Sequence, residues 1–230
     1  MEIKSVVLQT GKLEEMREFY CEVLGFPMTL DGEDRFSISI GDSVLEYTSS
    51  EAQENPFYHF AFNIPPNKFE EAKSWIKERV TLNKEEGKDE VYFDHLNANA
   101  LYFEDPAGNI VELIARQKVS MPSIRPFSIE SIINISEISL VVDDALSVGK
   151  EMQAIGVKRR IDKEVESGVL NFMGEPDNDS FVLLLEEGRK WFFSDKISIA
   201  YPVEITLDGN RKISLNSSGE VKVSPSIEEL

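Results

Sequence analysis

Residues 101–114, LYFEDPAGNIVELI, carry the most specific structural signal in the chain, because they join two extended segments through a tight turn. The turn is Asp-Pro-Ala-Gly at residues 105–108, and proline and glycine this close together are typical of turns. In the second segment Val111 and Leu113 alternate with Glu112, and alternate side chains of a strand point to opposite faces. The stretch therefore predicts a β-hairpin that buries an apolar face and turns Glu112 the other way.

This hairpin closes a unit that recurs along the chain. Upstream of it, Phe69, Ile76 and Val80 lie at helical spacing, after an extended segment. The same order of strand, helix and further strands is found in two other places, and a last copy has lost its helix. Three complete units and one eroded unit indicate a fold built from repeats. The four copies open with strands at residues 5–9, 57–62, 135–142 and 203–207.

Composition restricts the partners that the chain is expected to have. Its 230 residues include 42 acidic and 24 basic side chains, which gives a formal net charge of −18. A surface this acidic repels phosphate backbones and anionic lipid headgroups, so we expect neither nucleic acid nor a membrane as a partner. The single cysteine, Cys21, excludes a disulfide within the chain. With no evident signal segment and no apolar run of membrane-spanning length, we expect a cytoplasmic protein.

Alternation along the strands places a group of polar side chains on one face. If two copies lie side by side, their sheets curl into a cup lined by Ser5, Glu46, His59 and Glu112. Arg35 is expected on the same face, where it could hold an anionic substrate. The chain has only two histidines, so any metal site must rely on carboxylates. A register slip of one residue would invert each of these faces.

Three motifs resemble the vicinal oxygen chelate superfamily of glyoxalase, bleomycin-resistance and extradiol-dioxygenase proteins. They are residues 13–26, which end in FYCEVLGF, residues 58–62, YHFAF, and the hairpin at 101–114. The resemblance covers residues 1 to about 117 and is faint beyond them. Together with the repeat, it implies an α+β fold of tandem βαβββ modules. Their curved mixed sheets would form an open cup, with the helices on the outer face.

The resemblance also implies a division of the chain. We expect residues 1–117 to form a glyoxalase-like domain of two paired modules. Residues 118–127, which contain Pro122 and Pro126, are expected to be a linker. Residues 128–230 would then hold the third module and the eroded fourth copy.

Members of this superfamily often hold a divalent metal in the cup, with His from the first strand of a module and Glu from its last strand. Carried over to this chain, the resemblance implies His59, Glu112 and Glu46 as ligands of Zn, Ni, Mn or Fe. Glu46, if released from the ion, would serve as a general base. Ser5 takes the remaining first-strand position and departs from the family, since a hydroxyl is a poor ligand for these metals. The residues expected to line the substrate pocket are Ser5, Arg35 and Asn99.

The third copy provides a weaker match to the same pattern. Glu137 takes its first-strand position, but the last-strand counterpart is apolar Leu184 or Leu185, so we expect no second metal site there. His95 is interpreted as a surface-loop histidine. Residues 189–191, Arg-Lys-Trp, follow a buried strand and are a candidate rim for the second cup, with the tryptophan more typical of packing than of ligand stacking.

Functions of different classes fit this sequence. The first is a metal-dependent lyase, isomerase or dioxygenase that acts on a small molecule with vicinal oxygens. The alternative is a metal-free protein that binds or sequesters small molecules, as bleomycin-resistance proteins do. A sensor or interaction module with a vestigial site is a third. A strand edge at residues 203–207 is a candidate contact for a homodimer.

Overall fold

The computed structural model describes residues 1–50, 55–118, 121–175 and 180–225, without the side chain of Asp162. The predicted linker and domains therefore include a few residues outside these ranges, namely 51–54, 119–120, 176–179 and 226–230. The strands are β1 Ile3–Thr10, β2 Met28–Asp31, β3 Arg35–Ile40, β4 Ser43–Ser49, β5 His59–Asn63, β6 Val91–Phe93, β7 Ala98–Glu104, β8 Ile110–Arg116, β9 Asn134–Val141, β10 Asn171–Met173, β11 Phe181–Leu185, β12 Val203–Leu207, β13 Lys212–Leu215 and β14 Val221–Ser224. The helices are α1 Leu13–Arg17, which continues as a π-helical turn at Glu18–Val23, α2 Phe69–Lys77 and α3 Ala145–Ala154, with 3₁₀ turns at Pro66–Lys68, Ile129–Ser131, Arg160–Asp162 and Asp208–Asn210.

The first helical segment follows directly from the spacing of its apolar residues. Met16, Tyr20 and Leu24 recur every four residues and are all buried, so they form one stripe against the core. The segment ends at Gly25, whose φ of +82° is a backbone conformation that glycine adopts without steric cost. None of the helices in the described ranges is long and apolar enough to cross a membrane.

Over the described residues, the strands form two sheets of seven strands, and each sheet is shared by two modules. Sheet A has the order β14-β13-β12-β1-β4-β3-β2, and sheet B has the order β10-β11-β9-β5-β8-β7-β6. In sheet A, β1 pairs antiparallel with β12, and in sheet B, β5 pairs antiparallel with β9. The first module is therefore joined to the fourth, and the second to the third. The predicted α+β class, with tandem modules in curved mixed sheets, is confirmed.

This pairing differs from the expected cup between the first two modules. The first module lies in sheet A and the second in sheet B, so the polar faces of β4 and β8 belong to different sheets. Alternation determines which face of a strand a residue occupies, but not which distant strand becomes its neighbour. The expected free edge at residues 203–207 is also wrong, since β12 is paired on both sides, with β1 and β13. A domain limit at residues 118–127 stays a prediction.

One hydrophobic core joins the two sheets and the helices. Phe26 of the first module meets Phe62 of β5 with ring centroids 5.7 Å apart, and Phe19 lies 6.4 Å from Phe103 of β7. The buried face of α2 belongs to the same cluster. The opposite face of each sheet is left to form a concavity, so the fold produces two separate hollows.

A tight contact between the sheets lies at the turn before β4. Gly41 adopts a φ of +55°, and a Cβ atom there would lie 1.9 Å from the carbonyl oxygen of Ile133, which precedes β9. The next backbone N–H, that of Asp42, donates to the same oxygen at 2.9 Å. Ser43 Oγ accepts a further bond from the backbone N–H of Ile135, at 3.1 Å. These contacts fix the position of one sheet against the other.

Candidate metal centre

His59 is the first residue of β5 and is buried in the concavity of sheet B. Its Nδ1 lies 3.0 Å from the carbonyl oxygen of Ile110, on the neighbouring strand β8. In a neutral imidazole this contact requires Nδ1 to carry the proton, which leaves Nε2 as an acceptor. Burial lowers the pKa of His59, so the neutral form is favoured. The residue therefore presents a lone pair, held in a defined direction, to the hollow.

Glu112 comes from β8 and points into the same hollow. Its Oε2 lies 3.5 Å from His59 Nε2, and the Tyr102 hydroxyl, from the adjacent strand β7, forms a hydrogen bond with its carboxyl group. Burial, together with the nearby charge of Glu137, raises the pKa of Glu112 well above its usual value. The Arg116 guanidinium acts in the opposite direction. A carboxyl group in this position is costly to ionise unless a cation lies beside it.

Glu137 completes the group from a third strand, β9. Ala61 of β5 lies opposite Glu112 on one side and opposite Glu137 on the other, so the two carboxylates flank the same residue of the central strand. Glu137 forms a buried ion pair with Arg116, whose guanidinium also donates to Ser136 Oγ at 3.2 Å. Potential ligand atoms of His59, Glu112 and Glu137 all lie within 4.8 Å of one another.

The donor set fits a divalent cation. One imidazole nitrogen and two carboxylates are ligands that Zn, Mn and Fe accept in proteins. The second nitrogen of His59 bonds a backbone carbonyl, which is the usual outer support of a metal-binding histidine. A bound cation beside the two buried carboxylates would favour the ionised form of Glu112, whose pKa is otherwise raised. The residues present could therefore hold such an ion.

A pocket of about 340 Å³ opens above this group. Trp191 packs against His59 with ring centroids 5.0 Å apart, and the Tyr102 ring stacks on Phe193 at 4.8 Å. Both covering aromatics belong to residues 186–200, which we term the covering loop. Trp191 is only 5% exposed, so the loop shields the hollow from water. Other residues that line the pocket are Phe93, His95, Phe172, Leu183, Arg189 and Phe192.

Three residues expected in the site lie in the other hollow, on sheet A. Ser5, Arg35 and Glu46 occupy β1, β3 and β4, and the Arg35 guanidinium lies 3.6 Å from the Glu46 carboxylate. Glu46 does not join His59 and Glu112, which corrects its expected roles as metal ligand and general base. The physical reason is the strand order, because the first module completes its sheet with the fourth module. Arg35 and Glu46 line a polar groove together with Glu204.

Asn99 is also displaced from the expected pocket. It lies on β7 between Ala98 and Ala100, whose side chains belong to the cluster on the pocket side. Asn99 therefore faces the opposite side of the sheet, where it lines a surface groove beside Phe69. His95 is exposed, as expected for a loop residue, but it also lines the mouth of the pocket.

Sequence reasoning did not place Glu137 beside His59 and Glu112 because it assigned the third module to a separate domain. The available signal was the equivalence of Glu137 with a first-strand ligand position. The last-strand position of the third module is Leu183, which lies opposite Ser139, rather than Leu184 or Leu185. The internal symmetry of sheet B thus relates His59 to Glu137 and Glu112 to Leu183. Of the four symmetry-related positions, the one at Leu183 therefore provides no metal ligand.

Known proteins are similar to this chain in sequence or in fold. A family model described as "Glyoxalase/Bleomycin resistance protein/Dioxygenase superfamily" matches residues 2–113, and one described as "Toxoflavin-degrading enzyme" matches residues 135–189. Metallothiol transferase FosB from Staphylococcus epidermidis is 28% identical over 117 residues, which are 48% of this chain and 81% of FosB.

Two solved structures resemble the fold more completely. A variant of glyoxalase I from Zea mays superimposes with a TM-score of 0.55 at 15% identity, over 96% of this chain and 90% of that chain. A candidate dioxygenase from Bacillus subtilis has a TM-score of 0.56 at 15% identity, over 80% of this chain and 63% of that chain. At this identity the two structures bear on the fold alone. Through the match over residues 2–113, this part of the chain belongs to the vicinal oxygen chelate superfamily, which comprises the glyoxalase, bleomycin-resistance and dioxygenase proteins.

Proposed function

We propose that this chain is a divalent-metal-dependent enzyme of the lyase, isomerase or dioxygenase type, acting on a small molecule with vicinal oxygens. The observation that carries the proposal is the convergence of His59, Glu112 and Glu137 from three adjacent strands at one end of an aromatic pocket. A divalent ion bound by these residues would supply Lewis acidity toward two neighbouring oxygens of a substrate. The family descriptions, which include a toxoflavin-degrading enzyme, and the metallothiol transferase relative support an enzyme of this class.

The other residues of the hollow have supporting roles in this proposal. Arg116 orients the Glu137 carboxylate, and the Tyr102 hydroxyl orients that of Glu112. Trp191, which lines the pocket and packs against His59, would limit the access of water to the bound ion, which strengthens electrostatic interactions there. Glu46 has no part in it.

Calorimetric titration of chelator-treated protein with Mn²⁺ tests the metal site. We expect the wild-type protein to bind one equivalent, and the His59→Ala and Glu137→Gln variants to bind at least about a hundredfold more weakly, because each loses one of three ligands. Glu46→Gln is the matched control, since it removes a carboxylate from the equivalent position of the other hollow. A wild type that binds no Mn²⁺, Zn²⁺ or Fe²⁺, or a Glu46 variant that loses as much affinity as Glu137→Gln, would rule the site out.

A metal-free binding protein is the second candidate, and one observation favours it. Tyr102 and Arg116 already provide a hydrogen bond and a counter-charge to the two carboxylates, so the hollow can be stable without an ion. In that case small aromatic compounds should raise the melting temperature equally with and without EDTA. A response that requires added metal would exclude this candidate.

A homodimer and a cytoplasmic location are further proposals. Light scattering coupled to gel filtration measures the first, and a mass of one chain at micromolar concentration would contradict it. Fractionation of the source cells measures the second.

A further inference from the structure

The covering loop carries three cations, and they differ in how their charge is balanced. Lys190 Nζ lies 3.3 Å from the Asp195 carboxylate, and Lys196 Nζ lies 2.9 Å from that of Glu104. Arg189 forms no ion pair with any acidic group in the described part of the chain, and it is the cation of this loop that lines the pocket. Acidic residues outnumber basic ones by 42 to 24, so most cations are expected to find an acidic partner. Arg189 is therefore a candidate for binding an anionic ligand.

The acidic residues next to Arg189 are engaged elsewhere. Glu186 accepts hydrogen bonds from the Ser167 hydroxyl at 2.7 Å and from the backbone N–H of Gly168 at 2.9 Å. Glu187 accepts from the backbone N–H of Ala200 at 2.8 Å. The arrangement therefore directs nearby carboxylates away from the arginine and leaves its charge available to a ligand.

The backbone at Arg189 is fixed by a residue of the same loop. Its N–H donates to Ser198 Oγ at 2.9 Å, and its carbonyl oxygen accepts from the Ser198 N–H at 2.7 Å. Ser198 is fully buried. The guanidinium carbon lies 5.9 Å from the centroid of the Phe192 ring, which also lines the pocket. The charge of the partly exposed Arg189 thus lies beside an aromatic ring at the edge of the pocket.

Neither carboxylate of the candidate metal centre is available to pair with Arg189. Glu137 is paired with Arg116, and Glu112 contacts His59 and Tyr102, so both carboxylates have their own partners. A guanidinium offers a planar fork of donors that matches the two oxygens of a carboxylate. Aromatic side chains favour a flat apolar body packed between them.

We propose that the pocket takes an aromatic ligand that bears an anionic group of the carboxylate class, with Arg189 pairing with that group and the ring lying among Phe172, Trp191 and Phe192. This inference rests on the proposed function in one respect, that the substrate binds in this pocket. It does not require a metal ion to be bound there. It narrows the substrate to an aromatic acid.

A matched pair of probes, para-nitrobenzoate and para-nitrobenzamide, tests this inference. The two compounds share size and ring but differ in charge, and nitroaromatic rings quench tryptophan fluorescence. The chain has two tryptophans, and Trp75 lies on α2 beneath the Arg79 guanidinium, so a Trp75→Phe background reports on Trp191 alone. We expect the benzoate to bind at least about tenfold more tightly than the benzamide, as charge-assisted hydrogen bonds provide. The Arg189→Gln variant should bring this ratio close to one, and Arg189→Lys should retain part of it.

Lys190→Gln is the control, since it removes the neighbouring cation of the same loop, which is paired with Asp195 and does not line this pocket. It should leave the ratio unchanged. A ratio that persists in Arg189→Gln, a ratio of one in the wild type, or a lack of Trp191 quenching by both probes would each overturn the inference. The measurement is made on metal-free and on Mn²⁺-treated protein. Arg189-dependent binding of the benzoate without any Mn²⁺ binding would retain this inference and remove the proposed function.

Discussion

Arg116 and Glu137 are both buried, and their ion pair replaces the hydration that each charge loses in the folded protein. The pair joins β8 to β9, and so it supports both the candidate metal centre and the contact between the second and third modules. Removing one partner would leave a single charge in a low-dielectric site.

The Arg116→Gln variant is expected to lower the free energy of unfolding by about 3–5 kcal/mol in EDTA, because Glu137 remains buried without its ion-pair partner. Mn²⁺ should restore more stability to this variant than to the wild type, since the ion supplies the missing positive charge. Urea denaturation with and without Mn²⁺ measures both effects. Arg35→Gln, at the exposed ion pair with Glu46, is the control and should cost little. Equal losses in the two variants would contradict the prediction.

Asp105, in the turn between β7 and β8, provides a pH-dependent contribution to stability. Its carboxylate accepts from the Tyr20 hydroxyl at 2.8 Å and from the Asn109 amide at 2.7 Å, yet burial raises its pKa to about 6. The folded state then binds a proton more tightly than the unfolded state. The contribution of Asp105 to the free energy of unfolding is therefore fully present below the unfolded pKa of 3.8. It is lost as the pH rises through 6, by up to about 3 kcal/mol. The ¹³C shift of the Asp105 carboxyl should titrate near pH 6, and a midpoint at or below 3.8 would refute the shift.

Among the elements, the turn between β3 and β4 shows which structural features a local sequence pattern predicts and which it does not. The Gly-Asp pair at residues 41–42 predicts a turn, and the structure has one. The sequence does not reveal that the turn presses on Ile133, ninety residues away along the chain, because that contact depends on how two sheets pack. The face of each strand was predictable from alternation, which brought His59 and Glu112 together correctly. Glu137 could not be added, since the pairing of β5 with β9 is a long-range choice that no local pattern encodes.

Gly41→Ala should be markedly more destabilising than Gly209→Ala. Both glycines have positive φ, +55° and +65°, so both substitutions incur a similar backbone cost. A Cβ at position 41 would lie 1.9 Å from a backbone oxygen, whereas at position 209 it meets nothing within 4 Å. We expect the clash to add about 1–3 kcal/mol. Chemical denaturation of the two variants measures the difference, and equal losses would mean that the turn can move away from Ile133 at no cost.

For the whole molecule, the repeat made the number and type of modules predictable. It did not predict which two modules share a sheet. The strands of all four modules carry apolar faces, so the local patterns do not say which modules share a sheet. Fragment 1–117, expected from sequence to be a domain, contains β1 without β12 and β5 without β9. In that fragment β1 and β5, which are central strands of the two sheets, would each be unpaired on one side.

We therefore expect fragment 1–117 not to reach its native structure alone, and to recover it when mixed with fragment 118–230. ¹H–¹⁵N correlation spectra of the labelled fragment, before and after mixing, measure this directly. Mn²⁺ binding should appear only in the mixture, because Glu137 lies in the second fragment. A well-dispersed, native-like spectrum of fragment 1–117 by itself would show that the two halves are independent.

The nested order of the modules also has a consequence for biosynthesis. The two inner modules are consecutive in the chain, so a ribosome delivers both halves of sheet B before it translates β12. β1, which precedes both inner modules in the chain, can pair with β4 of its own module, but it gains its second neighbour, β12, only after both inner modules have been translated. The hollow that holds His59, Glu112 and Glu137 can thus assemble on the nascent polypeptide while β1 still lacks β12 and sheet A remains incomplete.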